Sequence, residues 1–229
     1  MRSLQPRRTQ NDKGSEARVK IRCVIYDCDG VLFDSIEANE KLYNDLAASA
    51  GRPLLTREEL AYVHCHTVFE SVRFMSGNNN GLEEKALALL KQVDFKKYID
   101  FLKMEPYLIE TLTLLKEKGI WRVVNTNRTT TMPHIMERFG LRPYFDMVVT
   151  ALDVKNPKPH RESVDKIVDA FKLDRKEVVF VGDSEVDQQA AESAGVQFVA
   201  YKDRNLNSAA VIDDHRDVLK LVLNNHATQ

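Results

Sequence analysis

Two carboxylates separated by one residue, Asp27 and Asp29, are the side chains of this sequence best suited to chemistry. They directly follow the mostly apolar run 21–26, and Gly30 comes after them. A run rich in β-branched residues that ends in acids and a glycine is typical of a buried strand opening into a loop. In open parallel α/β sheets, ligands bind at the carboxyl ends of the strands. Because neighbouring carboxylates repel each other and lose hydration there, the pattern indicates a metal ion, a nucleophile or an acid–base pair.

Three further polar segments follow apolar runs later in the chain. They contain Thr126 and Asn127 after the run 120–125, Lys158 between two prolines, and Asp183 and Asp187 after the run 178–182. Because the carboxyl ends of parallel strands meet at one edge of a sheet, we expect these side chains to surround a single point. Carboxylates suit a hard cation such as Mg²⁺. A lysine, a hydroxyl and loop amides suit a phosphate group.

The elements that must position these residues follow from the apolar pattern. Parallel strands are predicted at 21–26, 120–125, 147–150, 178–182 and 196–200, and crossover helices at 106–118, 129–139, 161–171 and 185–194. Pro106 at the start and Gly119 at the end of the first of these helices match the preferences of helix termini. Strands and helices that alternate at this length predict an α/β fold, a doubly wound parallel sheet of five strands with a Rossmann-like core.

The first crossover is far longer than one helix requires. Between residues 35 and 105 there is no strand signal, and the pattern predicts helices at 36–50, after a capping box formed by Thr56 and Glu59, and from about 82 to 102. We therefore expect residues 36–104 to form an all-helical cap inserted above the carboxylates, with 19–35 and 105–229 as the α/β core and 1–18 as a flexible tail. Such a cap can exclude water and select the substrate.

The four polar segments, taken in order, resemble the four motifs of the haloacid dehalogenase-like (HAD) superfamily. The match spans about residues 19–201, and the insertion stands where members with a cap between motifs one and two carry theirs. The resemblance points to the helical-cap phosphatase branch, with phosphoglycolate phosphatase as the nearest relative. It implies a Mg²⁺-dependent phosphatase that hydrolyses a small phosphate monoester, such as a phosphoglycolate-like compound or a sugar phosphate, through an aspartyl-phosphate intermediate.

The resemblance also implies a role for each motif residue. Asp27 is similar to the nucleophile, and Asp29 to the general acid and base, a role that calls for a raised pKa. Thr126 and Asn127 correspond to the phosphate-binding residues, and Lys158 corresponds to the lysine that neutralises the phosphate and the nucleophile. The metal ligands implied are Asp27, Asp183 and the backbone carbonyl of Asp29, and Asp187 would order the metal's surroundings. Metal and lysine together would offset the charge that accumulates during phosphoryl transfer.

Other interpretations of the same residues remain. A calcium loop would require Asp or Asn at position 31 and glycine at 32, where this chain has Val31 and Leu32. Asp29 argues against a dehalogenase, because a halide leaving group needs no proton. A phosphomutase is one alternative, although Asn39 stands where the sugar-phosphate mutases usually have a histidine. A non-catalytic binding protein on this scaffold is the other alternative. In the cap, His64, His66 and Arg73 are candidates for selecting the substrate.

The composition limits the possible partners and compartment. The 229 residues carry a formal net charge of −1, so no overall field favours nucleic acid or an anionic membrane. No apolar run approaches the roughly 20 residues of a membrane span, and the polar start lacks the apolar segment of a signal peptide. The three cysteines show no disulfide or metal spacing, which favours the cytoplasm. The expected partner is a small phosphorylated metabolite, and the expected state is a monomer or homodimer.

Overall fold

A computed structural model of the chain describes residues 19–77 and 79–223. Its strands are β1 (Cys23–Tyr26), β2 (Phe33–Asp34), β3 (Lys103–Met104), β4 (Trp121–Asn125), β5 (Met147–Val149), β6 (Val178–Gly182), β7 (Gln197–Tyr201) and β8 (Ala210–Ile212). Its helices are α1 (Ile36–Ala50), α2 (Arg57–Cys65), α3 (Val68–Ser76), α4 (Asn80–Leu90), α5 (Lys96–Ile99), α6 (Leu108–Glu117), α7 (Met132–Arg138), α8 (Glu162–Phe171), α9 (Glu185–Ala194) and α10 (His215–Leu223). The predicted tail, residues 1–18, lies outside the described residues.

The central sheet is parallel, with the strand order β5-β4-β1-β6-β7-β8. Alternate residues of β1 point to opposite faces, as strand geometry requires. Val24 and Tyr26 belong to an apolar cluster shared with α6, α7 and α10, whereas Cys23 and Ile25 belong to one shared with α8 and α9. Because helices cover both faces, the predicted doubly wound α/β architecture is confirmed.

The prediction of five strands was wrong by one, because β8 adds a sixth strand at the edge of the sheet. This strand has three residues, and Val211 at its centre is exposed. A short edge strand buries little apolar surface, so it lacks the long apolar run that marked the other five.

Helices α1 to α5 occupy the insertion and share an apolar cluster of their own, which includes Leu46, Val72 and Ala86. The capping box of Thr56 and Glu59 is present: Thr56 N donates to Glu59 Oε2 at 2.8 Å, and Glu59 N donates to Thr56 Oγ1 at 3.2 Å. A separate core is what an independent cap domain requires. The domain boundaries themselves stay a prediction.

The single helix predicted from about 82 to 102 was wrong. The chain turns after α4, and the Asp94 side chain accepts a hydrogen bond from Lys96 N at 3.1 Å where α5 begins. Asp in such a position competes with the helix and favours a new start. β3 then pairs antiparallel with β2, so the chain leaves and re-enters the core side by side.

Candidate active site

The predicted polar side chains meet at the carboxyl edge of three neighbouring strands. Asp27 follows β1, the central strand of the three, while Thr126 follows β4 and Asp183 follows β6 on either side. The segment after β5 brings in Lys158, whose backbone carbonyl accepts a hydrogen bond from Asn127 Nδ2 at 3.0 Å. The parallel strand order therefore converts four distant sequence segments into one site.

Three carboxylates form a compact cluster of oxygen atoms. One oxygen each of Asp27, Asp183 and Asp187 lies within 4.8 Å of the other two. Burial, with further repulsion from Asp187, raises the pKa of Asp27 to about 7, and the same two causes raise the pKa of Asp183 well above its usual value. The all-oxygen donor set suits Mg²⁺, and a bound cation would relieve this repulsion. The residues present therefore fit the expected metal.

Lys158 supplies the positive charge inside this cluster. Its Nζ lies 2.8 Å from Asp27 Oδ1 and 2.6 Å from Asp187 Oδ1, and the side chain is buried. Burial opposes its charge, but the two carboxylates outweigh that effect and raise the pKa of Lys158 above its usual value. The ammonium group therefore stays charged and holds the carboxylate proposed as the nucleophile.

Asp29 points to a different partner. Its carboxylate accepts two hydrogen bonds from Arg128, at 2.7 Å from Nε and 2.6 Å from Nη2. Burial alone would raise its pKa, but the charge and the hydrogen bonds of Arg128 prevail, and the pKa of Asp29 is lowered. The prediction of a raised pKa for Asp29 was therefore wrong for the described structure. The sequence-based interpretation assigned no role to Arg128, whose contact with Asp29 lowers this pKa.

Two glycines let the carboxylates approach the backbone. A Cβ atom added to Gly30 would lie 1.7 Å from Asp183 Oδ2, and one added to Gly182 would lie 2.3 Å from the Cβ of Asp187. Gly30 also has a φ of 72°, a conformation that side chains disfavour. Both positions therefore depend on glycine for the packing of the acidic cluster.

A buried histidine supports the loop that follows β1. His215 Nε2 donates a hydrogen bond to the carbonyl oxygen of Val31 at 2.8 Å, and its ring centroid lies 5.8 Å from that of Tyr26 and 5.0 Å from that of Tyr201. Burial lowers the pKa of His215 to about 4, so the ring is neutral. No short motif predicts this contact, because the two residues are far apart in the chain.

The cap candidates occupy different places. His64 and His66 line a cavity between the cap and the carboxylates that is partly open to solvent. His64 Nδ1 lies 3.1 Å from Asn39 Nδ2, and the His66 ring stacks on Tyr62 at 3.8 Å. Arg73 lies outside this cavity: its side chain is 74% exposed and pairs with Glu83.

Other residues of the site were missed at the sequence level. Ser184 donates to Asp187 Oδ2 at 2.7 Å and caps α9, and the spacing of a serine three residues before an acid could have indicated it. Thr126 Oγ1 accepts from Arg128 N at 3.1 Å, which ties Arg128 to a residue that was predicted. The pair of Asn39 and His64 joins two helices and had no sequence signal.

Fold and site together define a class of enzyme. It is a hydrolase with a doubly wound α/β core, in which carboxylates, a lysine and a helical insertion meet at the carboxyl edge of the sheet. The model of the haloacid dehalogenase-like hydrolase family matches residues 24–201. The chain belongs to this family, which confirms the predicted resemblance.

Individual relatives agree with this assignment. The chain is 26% identical over 179 residues to the pyrophosphatase PpaX of Bacillus velezensis, covering 78% of this chain and 82% of the relative. It is 26% identical over 187 residues to a phosphoglycolate phosphatase of Rhodobacter capsulatus, covering 78% and 83%. A solved structure of a subfamily IA HAD-superfamily hydrolase from Geobacter sulfurreducens is 39% identical, with a TM-score of 0.76, covering 88% of this chain and 99% of that one.

Within the described residues, no helix is both long and apolar enough to cross a bilayer.

Proposed function

We propose that this hydrolase is a Mg²⁺-dependent phosphatase that cleaves a small phosphate monoester through an aspartyl-phosphate on Asp27. The observation that carries the proposal is the position of Lys158 Nζ, which lies within 2.8 Å of both Asp27 and Asp187 inside the carboxylate cluster. A nucleophile, a fixed cation and a set of oxygen ligands then act on one phosphoryl group. The relatives named as phosphatases support the same class of reaction.

The first half-reaction transfers the phosphoryl group to the protein. An oxygen of Asp27 attacks the phosphorus atom, the bond to the leaving oxygen breaks, and Asp29 gives its proton to that oxygen. Lys158 and Thr126 bind the phosphoryl oxygens as negative charge builds up on them. Since Arg128 stabilises the ionised form of Asp29, the acid role requires this ion pair to weaken during the cycle.

The second half-reaction releases phosphate. Asp29 takes a proton from water, the water oxygen attacks phosphorus, and the bond to Asp27 breaks, which restores the carboxylate. The ionised Asp29 of the described state suits this base role. Asp27, Asp183 and the backbone carbonyl of Asp29 would hold Mg²⁺, with Asp187 beside them. The cation supplies additional positive charge beside the transferring group when bound.

We assign residues 36–104 to a cap domain that covers this site. The separate apolar cluster of α1 to α5 and the cavity between these helices and the carboxylates support the assignment. The cap would exclude water during transfer and limit the substrate to a small molecule.

A phosphomutase is the second candidate, and one contact favours it. Asn39 occupies the position where sugar-phosphate mutases usually have a histidine, yet the imidazole of His64 lies 3.1 Å from the Asn39 amide. An imidazole is therefore present near that position after all. Phosphorus NMR of the products separates the candidates, because a mutase returns an isomeric phosphate ester and a phosphatase releases inorganic phosphate.

The test of the main proposal is release of phosphate from a panel of phosphoglycolate, sugar phosphates, pyrophosphate and a chromogenic ester, with Mg²⁺ and with a chelator. We expect Mg²⁺-dependent release, and we expect Asp27→Asn to reduce kcat by about 10⁴-fold or more while the protein stays folded. The matched control is Asp213→Asn, which changes an exposed carboxylate paired with Arg204. Rapid turnover by Asp27→Asn would rule out the aspartyl-phosphate.

A further inference from the structure

The cavity between cap and core has two chemically different sides. We call the side formed by Asp27, Asp29, Thr126, Arg128 and Lys158 the core wall. The opposite side, the cap wall, consists mainly of apolar and aromatic side chains: Leu42, Val63, Phe95, Tyr98, Ile99 and Leu102. If phosphate binds at the core wall, the leaving group of the substrate must lie against the cap wall.

The polar side chains that line the cavity from the cap side include Asn39, Tyr43, His64 and His66, and two of them, Asn39 and His64, form a pair. Asn39 Nδ2 donates to His64 Nδ1, so the remaining proton of the neutral imidazole is on Nε2. Burial lowers the pKa of His64, which keeps the ring neutral. This pair offers neutral donors and acceptors to a ligand, which suits a hydroxyl group better than an acid.

The positively charged side chains of the cavity belong to the core wall. In the described part of the chain, the lysine and arginine side chains that line it are Lys158 and Arg128, and both form ion pairs with site carboxylates. Among the described residues, the cap wall contributes no lysine or arginine to the lining of this cavity. A second anion at the leaving-group end of the substrate would therefore be buried on the cap side with no lysine or arginine beside it, which is unfavourable.

We propose that the leaving group of the substrate is neutral and bears a hydroxyl group held by His64, and that substrates with a second acidic group are rejected. The inference rests on the proposed phosphatase function and narrows its substrate class. It separates this chain from relatives whose names refer to pyrophosphate and phosphoglycolate, since both of those compounds carry a second acidic group.

Three phosphate esters with the same two-carbon chain test the proposal: ethyl phosphate, 2-hydroxyethyl phosphate and phosphoglycolate. They end in a methyl group, a hydroxymethyl group and a carboxylate, respectively. With Mg²⁺ at constant ionic strength, we expect kcat/KM for 2-hydroxyethyl phosphate to exceed that for phosphoglycolate by about tenfold or more, and that for ethyl phosphate by about threefold to tenfold. A value for phosphoglycolate equal to or above that for 2-hydroxyethyl phosphate would overturn the inference.

A binding measurement separates this inference from the proposed function. Titration calorimetry of Asp27→Asn with the same three esters and Mg²⁺ reports affinity without turnover, and the same order is expected. Absence of hydrolysis with this order of affinity retained would contradict the phosphatase proposal and leave the ligand class standing. Hydrolysis with tighter binding of phosphoglycolate would contradict the ligand class alone.

His64→Leu tests the assigned contact. We expect this variant to lose the preference for 2-hydroxyethyl phosphate over ethyl phosphate, because only the first of these esters has the hydroxyl group that His64 would bind. A merely structural role would lower the values for all three esters by the same factor. The matched control is His134→Leu, which replaces an exposed histidine on α7 and should leave the preference intact.

Discussion

The core wall and the cap wall enclose one cavity but obey different physical rules. The core wall and the acidic cluster of Asp27, Asp183 and Asp187 gather charges that are unfavourable together, as the raised pKa values of Asp27 and Asp183 indicate. The cap wall buries apolar side chains in the ordinary way. A protein gains no stability from crowding carboxylates, so their arrangement is best explained by chemistry. The cap wall, in contrast, serves stability and substrate selection with the same side chains.

Replacing Lys158 of the core wall gives the largest effect on stability that we expect. Lys158→Met would leave Asp27 and Asp187 buried without their common partner. Breaking a buried ion pair from one side typically costs about 3–5 kcal/mol, so we expect a loss of this size in the free energy of unfolding at neutral pH, together with loss of turnover. Urea denaturation with and without Mg²⁺ measures it, and added Mg²⁺ should recover part of the loss.

The matched control for that variant is Lys155→Met, which changes an exposed lysine before the same proline-rich segment. Its effect on the free energy of unfolding should stay within about 0.5 kcal/mol. Equal losses in the two variants would mean that Lys158 does not stabilise the carboxylates, and the comparison between the walls would fail.

Acidification gives the next effect, through His215 beneath the loop of the core wall. The folded-state pKa of about 4 lies below the ordinary value of 6.5, so the unfolded chain binds the proton more readily. The contribution of His215 is therefore complete above pH 6.5 and is lost as the pH falls from 6.5 to 4, by about 3 kcal/mol in total.

Free energies of unfolding measured from pH 7.5 to 4 for the parent chain and for His215→Gln test this dependence. Glutamine does not titrate, so the variant should show a flatter slope between pH 6.5 and 4. His134→Gln, with an exposed histidine removed, should keep the slope of the parent. Identical slopes in all three proteins would show that His215 does not carry the dependence.

How much of this could be predicted from sequence differs between the two walls. The charged groups of the core wall stand next to buried strands, and parallel strands covered on both faces have long apolar runs that locate them. The β6 strand and the helices α1 and α9 were predicted with the bounds that the structure has. Backbone geometry then fixes where the ends of these strands meet, so Asp27, Thr126 and Asp183 could be placed in advance.

The cap wall could not be predicted in this way, because it depends on which helix faces pack together. Asn39 and His64 are 25 residues apart on different helices, and no short motif joins them. The same limit explains the error over Asp29: its pKa depends on the position of the Arg128 guanidinium, which the order of residues does not give. Partner choice among side chains is a three-dimensional property, and it decides both selectivity and pKa.

A change of a single methyl group sharpens the comparison at its smallest scale. In Gly182→Ala the added Cβ would lie 2.3 Å from the Cβ of Asp187, so either the backbone of β6 or the acidic cluster must shift. Overpacking of this kind costs about 1–3 kcal/mol, and we expect weaker Mg²⁺ binding because Asp187 moves.

The matched control is Gly81→Ala in the cap helix α4, where the nearest atom is at 3.5 Å and φ is not positive. There alanine should stabilise the protein by up to about 1 kcal/mol. Thermal unfolding and Mg²⁺ titration of both variants would therefore give opposite signs in stability, and a loss of Mg²⁺ affinity in Gly182→Ala alone. A stable Gly182→Ala protein with unchanged Mg²⁺ affinity would mean that the acidic cluster tolerates displacement, contrary to the packing described for Gly182 against Asp187.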